Sequence, residues 1–447
     1  MKSCKKYTAD LLGCQSKLFY LFITIIFLKE NIRRNWDNAG YFIHSIQFLV
    51  DILDMIIHNQ PMENFALNQK TSIYFGKGEE KLAGPKIKAY ADSCLVVHDG
   101  GDYLKDLLAA VRTSLTDAGV RFFELSGITA NPLVSKANEG IEICRRENLG
   151  FVLAVGGGSV MDTAKYIASA INFDGDLLGI PFSAVLNHRI LPHAAIVTLS
   201  GTSSEVSKAI MIIDDRKEPA IKVMLKNPVF CFDFSIVNPE LTYSLPPKQL
   251  AAGAMDSISH ALEVYFGQTE EEPLLEGYTE GVIRTIIAYA PLALKEPRNY
   301  KFRSVLSIAA MMAYSDNLAN GGVKQDWGCH NIEKPVTTAF HGTHGVVLGI
   351  LTPSYIRHVY KKNPRPFVNF AERCFGVDGS GKSEKEIVFE GAARLEAWLA
   401  VMGLPTHLRE IGITADMLRE CAKEGAPAGM VYRIPENEIM EIYGMAE

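Results

Sequence analysis

Four residues carry the chemistry most legible in this chain: Asp256, His260, His330 and His344. Asp256 and His260 lie four apart in AGAMDSISHALEVY (252–265), a stretch with helical periodicity. A spacing of four stacks two side chains on one helical face. His330 and His344 fall in DWGCHNIEKPVTTAFHGTHGVVLGI (326–350). One carboxylate and three imidazoles form a mixed N/O donor set, which suits a divalent first-row transition metal and not calcium, an ion that wants oxygen alone. A cation held this way is a Lewis acid for a carbonyl or alkoxide oxygen. An Asp/His pair on a helix is also a common hydrogen-bonded pair with no metal. Histidine is scarce, 11 in 447 residues. That His330, His341 and His344 crowd into one apolar, glycine-rich segment counts toward the metal without deciding between the two readings.

The elements that must position these residues change character at Pro246–Pro247. Before it, short apolar runs alternate with helical stretches. SCLVVHDG (93–100) and GFVLAVGGGS (150–159) read as buried strands ending at glycine turns. AAIVTLSGTSSE (194–205) and PVFCFDFSIV (228–237) are two more apolar runs with turn residues nearby. YLKDLLAAVRTSLTDAG (103–119) and NPLVSKANEGIEICRRENL (131–149) read as helices. Strands alternating with helices imply a parallel sheet. Beyond the two prolines, 248–315 and 326–421 carry helical periodicity, with interruptions expected at Pro291, Pro297, Pro335 and Pro353. The expected fold is an α/β domain followed by an all-helical one, with the boundary near 245–250.

GGGSVMDTAK (156–165) follows the strand FVLAV and opens a helix. Glycines there let the backbone approach an anion, and a helix N-terminus offers free N–H groups and a positive dipole end. Ser159 can cap the helix or donate to a phosphate. The run is not GxGxxG, Lys165 is not placed as in a P-loop, and a tight connection is the plain alternative.

Length and composition fit an ordinary globular protein of two or three domains. A net charge of −6, with no Lys/Arg stripe interleaved with aromatics, argues against a nucleic-acid partner. Eight cysteines form no CxxC pair, as expected of reduced thiols in the cytoplasm. Residues 1–61 differ from the rest. Leu18–Leu28 (LFYLFITIIFL) is an apolar run between Lys17 and Lys29, too short for a membrane helix of ~20 residues. It has the length of a signal-peptide core, with Lys2, Lys5 and Lys6 upstream, but KENIRRNW follows instead of a cleavage site. A second apolar stretch, 41–57, runs towards Met62. The expectation is an appended or mis-started extension, with the folded protein beginning at Met62 and no membrane partner.

From Met62 onward the chain resembles the iron-containing (group III) alcohol dehydrogenases, above all their butanol dehydrogenase and broad aldehyde reductase branch. The motifs that carry this are GGGSVMDTAK, TLSGTSSEVS (198–207), NPELTYSLPPKQLAAGAMDSISHALEVYF (238–266) and WGCHNIEKPVTTAFHGTHG (327–345); LALKEPRNY (292–300) and LPTHLREIGI (404–413) also fit. The resemblance implies a Rossmann-like cofactor domain at 62–248 and an all-α metal-binding domain at 249–447. It implies one divalent metal, iron or zinc, on Asp256, His260, His330 and His344. It places cofactor contacts on Asn131, Gly157, Gly158, Ser159 and Asp162, with Thr198, Thr202, Ser207 and Lys222 also lining the cofactor. Asn131 would open the helix in NPLV, and Thr198 and Thr202 would flank a turn that holds the nicotinamide amide. The ribose edge falls on His98–Asp102, where a carboxylate at Asp99 bonds ribose hydroxyls and repels a 2′-phosphate, so NAD is expected ahead of NADP. The implied activity is hydride transfer between that cofactor and a small primary alcohol or aldehyde, in a homodimer.

Two departures stand out. The family's histidine four residues after the third ligand is here Lys334, followed by Pro335. An ion-pair role is expected for Lys334; His341, three residues before His344, is the lesser alternative for a proton relay. These departures leave open a catalytically impaired metal- or nucleotide-binding homologue.

Overall fold

The computed structural model describes residues 70–180, 188–313, 324–340 and 343–447. The expected extension at 1–61, the start at Met62 and His341 lie outside them. The described residues belong to one compact unit that runs from Phe65 to Glu447.

The α/β part runs β1 (Ser72–Phe75), α1 (Ala83–Lys88), β2 (Ser93–His98), α2 (Lys105–Asp117), β3 (Arg121–Leu125), α3 (Val134–Glu147), β4 (Val152–Gly156), α4 (Gly158–Ala170), β5 (His193–Val197), β6 (Ala209–Asp214), β7 (Ile221–Lys226) and β8 (Phe234–Val237). Six strands form one sheet in the order β1-β8-β5-β4-β2-β3, and each neighbouring pair is parallel. Strands β2, β4 and β5 are buried along their whole length. Their continuous apolar runs are what a parallel sheet covered on both faces demands. The hairpin β6–β7 stands apart as an antiparallel pair. It was not foreseen, because AIMIID and IKVMLK lie inside what otherwise reads as one crossover. Strands β1 and β3 at the sheet edges were also missed; the first is four residues long and neither is fully buried.

The order fixes where a ligand can sit. From β2 the chain steps outward to β3, then returns to place β4 on the other side of β2. A crevice opens at such a switch point, outside the carboxyl ends of the strands. The register puts His98 opposite Val155 and Gly156 opposite Val197. Asp99, Gly157 and Thr198 therefore leave the sheet side by side.

The helical part comprises α5 (Pro247–Phe266), α6 (Pro273–Lys295), α7 (Tyr300–Ala313), α8 (Gly328–Phe340), α9 (His344–Val359), α10 (Pro364–Asn369), α11 (Glu384–Val401), α12 (Ala415–Gly425) and α13 (Glu436–Ala446). Three of the four expected interruptions are absent: Pro291, Pro335 and Pro353 lie inside α6, α8 and α9. An internal proline costs a helix about 3 kcal/mol. Burial of these helices around Met255, Ile258, Ile332, Val347 and Leu351 supplies more than that.

Helices α5 and α9 cross closely. A Cβ on Gly345 would fall 2.1 Å from the Ala252 carbonyl oxygen. Gly345→Ala is expected to push α9 off α5 and to destabilise the fold by about 1–3 kcal/mol. Thermal unfolding of the variant reads this as a lowered midpoint; an unchanged midpoint refutes the close crossing.

Candidate active site

Helix α5 carries Asp256, His260 and Glu263 at positions i, i+4 and i+7, which is one face. Helix α8 presents His330 in its first turn and Glu333 one turn later, and α9 opens at His344. Asp256, His260 and His330 each offer a donor atom within 4.8 Å of the other two. His344 stands at the edge of this set. Its Nε2 is 3.8 Å from Asp256 Oδ1, and its ring centre is 5.2 Å from that of His330. Trp327 meets the His330 ring edge-on at 5.1 Å and walls the cluster.

These residues fit a metal. Asp256 Oδ1 and His330 Nε2 are buried and have no hydrogen-bond partner within the protein. Buried polar atoms are rarely left so, and both belong to the converging cluster. Burial pushes the His330 imidazole down to about 3. It pushes His260 down to about 4 against the Asp256 charge. Both rings are thus neutral and hold lone pairs at neutral pH.

Two carboxylates orient the imidazoles, and sequence reasoning did not name either. Glu263 Oε1 lies 2.7 Å from His330 Nδ1 and also accepts the His330 backbone N–H at 3.0 Å. A proton on Nδ1 directed at Glu263 leaves the Nε2 lone pair for the cluster. Burial and the Asp326 charge push Glu263 up to about 8, against the N–H groups of His330, Trp327 and Gly328. Glu333 Oε2 lies 2.7 Å from His344 Nδ1. Burial opposes the Glu333 charge, but His344 and the Thr337 hydroxyl outweigh it and hold the carboxyl below its ordinary range. In return, Glu333 holds His344 above its ordinary value despite burial. The signal for both was present: a glutamate three residues after His260 and another three after His330, each one helical turn from a ligand. Asp326 anchors the start of α8, accepting the Val431 and Tyr432 N–H groups at 2.8 and 3.0 Å.

At the sheet edge, the residues carried over for the cofactor divide. Gly157 is the N-cap of α4, with no side-chain cap. Ser159 lies inside the first turn and does not cap, so of its two expected roles only the phosphate contact is left. A Cβ on Gly158 would meet Thr202 at 2.9 Å, so the turn is closed to larger residues. Thr202 and Lys222 are half-buried. Asn131 does not open a helix: α3 begins at Val134. Asn131 sits at φ 60° and accepts from Lys222 Nζ at 3.2 Å. Asp99 accepts the Gly101 N–H at 2.8 Å and the Tyr103 hydroxyl, which fixes its carboxylate at the turn after β2.

Three others face inward. Asp162 is buried, with one oxygen on Ser204 Oγ at 2.7 Å and the other on the Met211 N–H at 3.0 Å. It braces α4 to β6 behind the glycine turn. Ser207 Oγ accepts the Ala209 N–H at 3.0 Å, and the Thr198 side chain is buried. Lys165, wholly buried, donates to the Ser204, Ser207 and Ala209 carbonyls. It holds the 198–209 loop, which explains a lysine at a glycine turn that is not a P-loop. The loop abuts α5 so tightly that a Cβ on Gly201 would lie 2.7 Å from Gly253 Cα. The ion pair expected for Lys334 is not formed among the described residues. Burial and the Lys222 charge push its ammonium down.

Two family descriptions match consecutive stretches. Residues 70–239 match "Iron-containing alcohol dehydrogenase" and residues 250–444 match "Fe-containing alcohol dehydrogenase family, C-terminal". The chain belongs to the iron-containing alcohol dehydrogenase family. Among relatives of this chain is NADH-dependent butanol dehydrogenase A of Clostridium acetobutylicum, 32% identical over 389 residues, 86% of this chain and 99% of that one. NADPH-dependent aldehyde reductase YqhD of Escherichia coli is 30% identical, over 83% of this chain and 94% of its own. The crystal structure of NADH-dependent butanol dehydrogenase A from Thermotoga maritima superposes with a TM-score of 0.80 at 30% identity, covering 86% and 99% of the two chains. The iron-containing dehydrogenase fold is thus the one expected, a parallel sheet followed by helices. The gap between the two matched stretches falls between the end of β8 and the first turn of α5.

Proposed function

We propose that this member of the family interconverts small linear primary alcohols and their aldehydes with NAD, using one iron or zinc ion. The observation that carries the metal is the convergence of Asp256, His260 and His330 donor atoms within 4.8 Å, next to His344. Residues 62–248 form the cofactor domain in this reading and 249–447 the metal domain. When bound, the metal supplies Lewis acidity toward a carbonyl or alkoxide oxygen, and the nicotinamide supplies or accepts hydride.

The chain's own residues hold and orient. Asp256, His260, His330 and His344 are the ligands. Glu263 and Glu333 hold the His330 and His344 rings in place. The N–H groups at Gly157, Gly158 and Ser159 face the cofactor diphosphate at the α4 N-terminus. Thr202, Asn131 and Lys222 line the same crevice, while Asp162, Thr198 and Ser207 support it from behind. Trp327 excludes water from one side of the cluster. Family resemblance is the support for a homodimer. For a cytoplasmic location it is the free state of the described cysteines, which include Cys94, Cys144 and Cys329. Among the described residues no helix is long and apolar enough to cross a membrane.

The test is a panel of C2–C6 aldehydes with NADH and NADPH, on protein loaded with Fe²⁺ or Zn²⁺ and on protein stripped by chelator. Metal-dependent oxidation of NADH, greatest with linear C3–C5 aldehydes, is the expected result. No oxidation of NADH or NADPH with any aldehyde, whether or not metal is loaded, would leave only an impaired homologue.

Asp99 is the proposed cofactor selector. Its carboxylate, fixed by Gly101 and Tyr103, lies where the ribose edge is expected, and its charge repels a 2′-phosphate. Asp99→Gly is expected to shift the NADH/NADPH ratio of kcat/KM about ten-fold toward NADPH, roughly 1.4 kcal/mol. An unchanged ratio, or a wild type that already prefers NADPH, removes Asp99 as selector.

A further inference from the structure

Arg303 lies in the first turn of α7 and is only 3% exposed. Its Nε donates to the Pro297 carbonyl at 2.9 Å. Among the described residues it forms no ion pair, and the ionisable group that acts on it is Tyr243. A buried guanidinium with no counter-charge is costly. Its place in the first helical turn makes matters worse, because the dipole there disfavours a cation.

The side chain opens on a cavity whose other walls include Ser200, Thr242, Ala254, Ser257 and Leu306. The cavity has room for roughly one water-sized ligand. It is not the catalytic crevice. Ala254 and Ser257 look out of α5 on a different face from Asp256 and His260. Most of the wall hydroxyls are committed: Ser257 Oγ donates to the Gly253 carbonyl at 2.9 Å, and Thr242 Oγ1 to that of Pro239 at 2.7 Å. Ser200 shares one hydrogen bond with Ser307, behind the wall, at 2.8 Å; with Ser307 as its donor, the Ser200 hydroxyl keeps a proton for a ligand. Water satisfies N–H groups but leaves the charge uncompensated among apolar walls.

We propose that this cavity binds a single halide-sized anion, chloride in the cell, against Arg303 and the Ser200–Ser307 hydroxyl pair. The anion ties the 198–202 loop to α5 and α7. The proposal is independent of the dehydrogenase reading, and none of its tests uses turnover.

The probe is bromide. Crystals grown in sodium bromide are expected to show an anomalous peak within hydrogen-bond distance of the Arg303 guanidinium; water alone there overturns the proposal. In solution, wild-type protein is expected to melt about 2 °C higher, saturably, in sodium chloride than in sodium gluconate of equal ionic strength, gluconate being too large to enter. Equal midpoints overturn it. Arg303→Met is expected to abolish the difference between the two salts. If that variant does not fold, the two wild-type measurements decide alone.

Discussion

Replacing His330 with alanine is expected to strip the bound metal and to lower kcat/KM by about a thousand-fold or more. Of the four proposed ligands, His330 is the one whose whole environment is arranged around a lone pair. Burial keeps its ring neutral. Glu263 holds Nδ1 at 2.7 Å, and Nε2 is left buried and unpartnered at the cluster. Removing that nitrogen takes away one donor of the set of three that lie within 4.8 Å of one another. Loss of several kcal/mol of Lewis-acid stabilisation corresponds to a thousand-fold or more in rate, since each ~1.4 kcal/mol is ten-fold. His344→Ala is expected to act in the same direction. Elemental analysis reads the metal, and circular dichroism checks that the parallel sheet is still folded. A folded His330→Ala protein with its full complement of metal would remove His330 from the ligand set.

The proposed ligand set stood out in the sequence because it uses scarce residue types, two of them at a spacing that one helical face explains. Periodicity singled out Asp256 and His260, and density singled out His330 and His344, but it was the family resemblance that joined the four into one metal set. The buried strands β2, β4 and β5 were legible for a similar reason, being unbroken apolar runs that end at glycine or at Thr198. What was not legible depends on partners distant in the chain. Asp162 reads as a polar residue near a glycine turn, yet its bonds go to Ser204 and the Met211 N–H, some forty residues on. Nothing local marks such a residue as a brace. The hairpin β6–β7 was hidden because its strands interrupt an alternation that already satisfied the pattern. Pro291, Pro335 and Pro353 misled because local propensity is a weak prior once a helix is buried on most sides. Glu263 and Glu333 are a different failure. Their spacing was visible, but a glutamate on a helix is so common that only the histidine it touches gives it a role.

That role yields the second large effect. Glu263→Gln keeps the size of the side chain and an oxygen for the His330 backbone N–H, but it replaces the carboxyl group that faces His330 Nδ1. On the proposed reading Glu263 acts on the metal at one remove, by holding His330 Nδ1 at 2.7 Å and so directing Nε2 to the cluster. Substitution of such a partner ordinarily costs 10–100-fold in metal affinity, and that range is the expectation for Fe²⁺ and Zn²⁺ alike. Competition with a chelator of known affinity measures it directly. A residue that merely packed the helices would lower the melting temperature and leave metal affinity alone. A positioning residue weakens affinity, and saturating metal then restores most of the kcat. Glu333→Gln is expected to do the same less strongly, because its imidazole, His344, is the more exposed of the two, 35% against 11% for His330. Unchanged metal affinity in Glu263→Gln, with a lowered melting temperature, would reduce Glu263 to a cap on the first turn of α8.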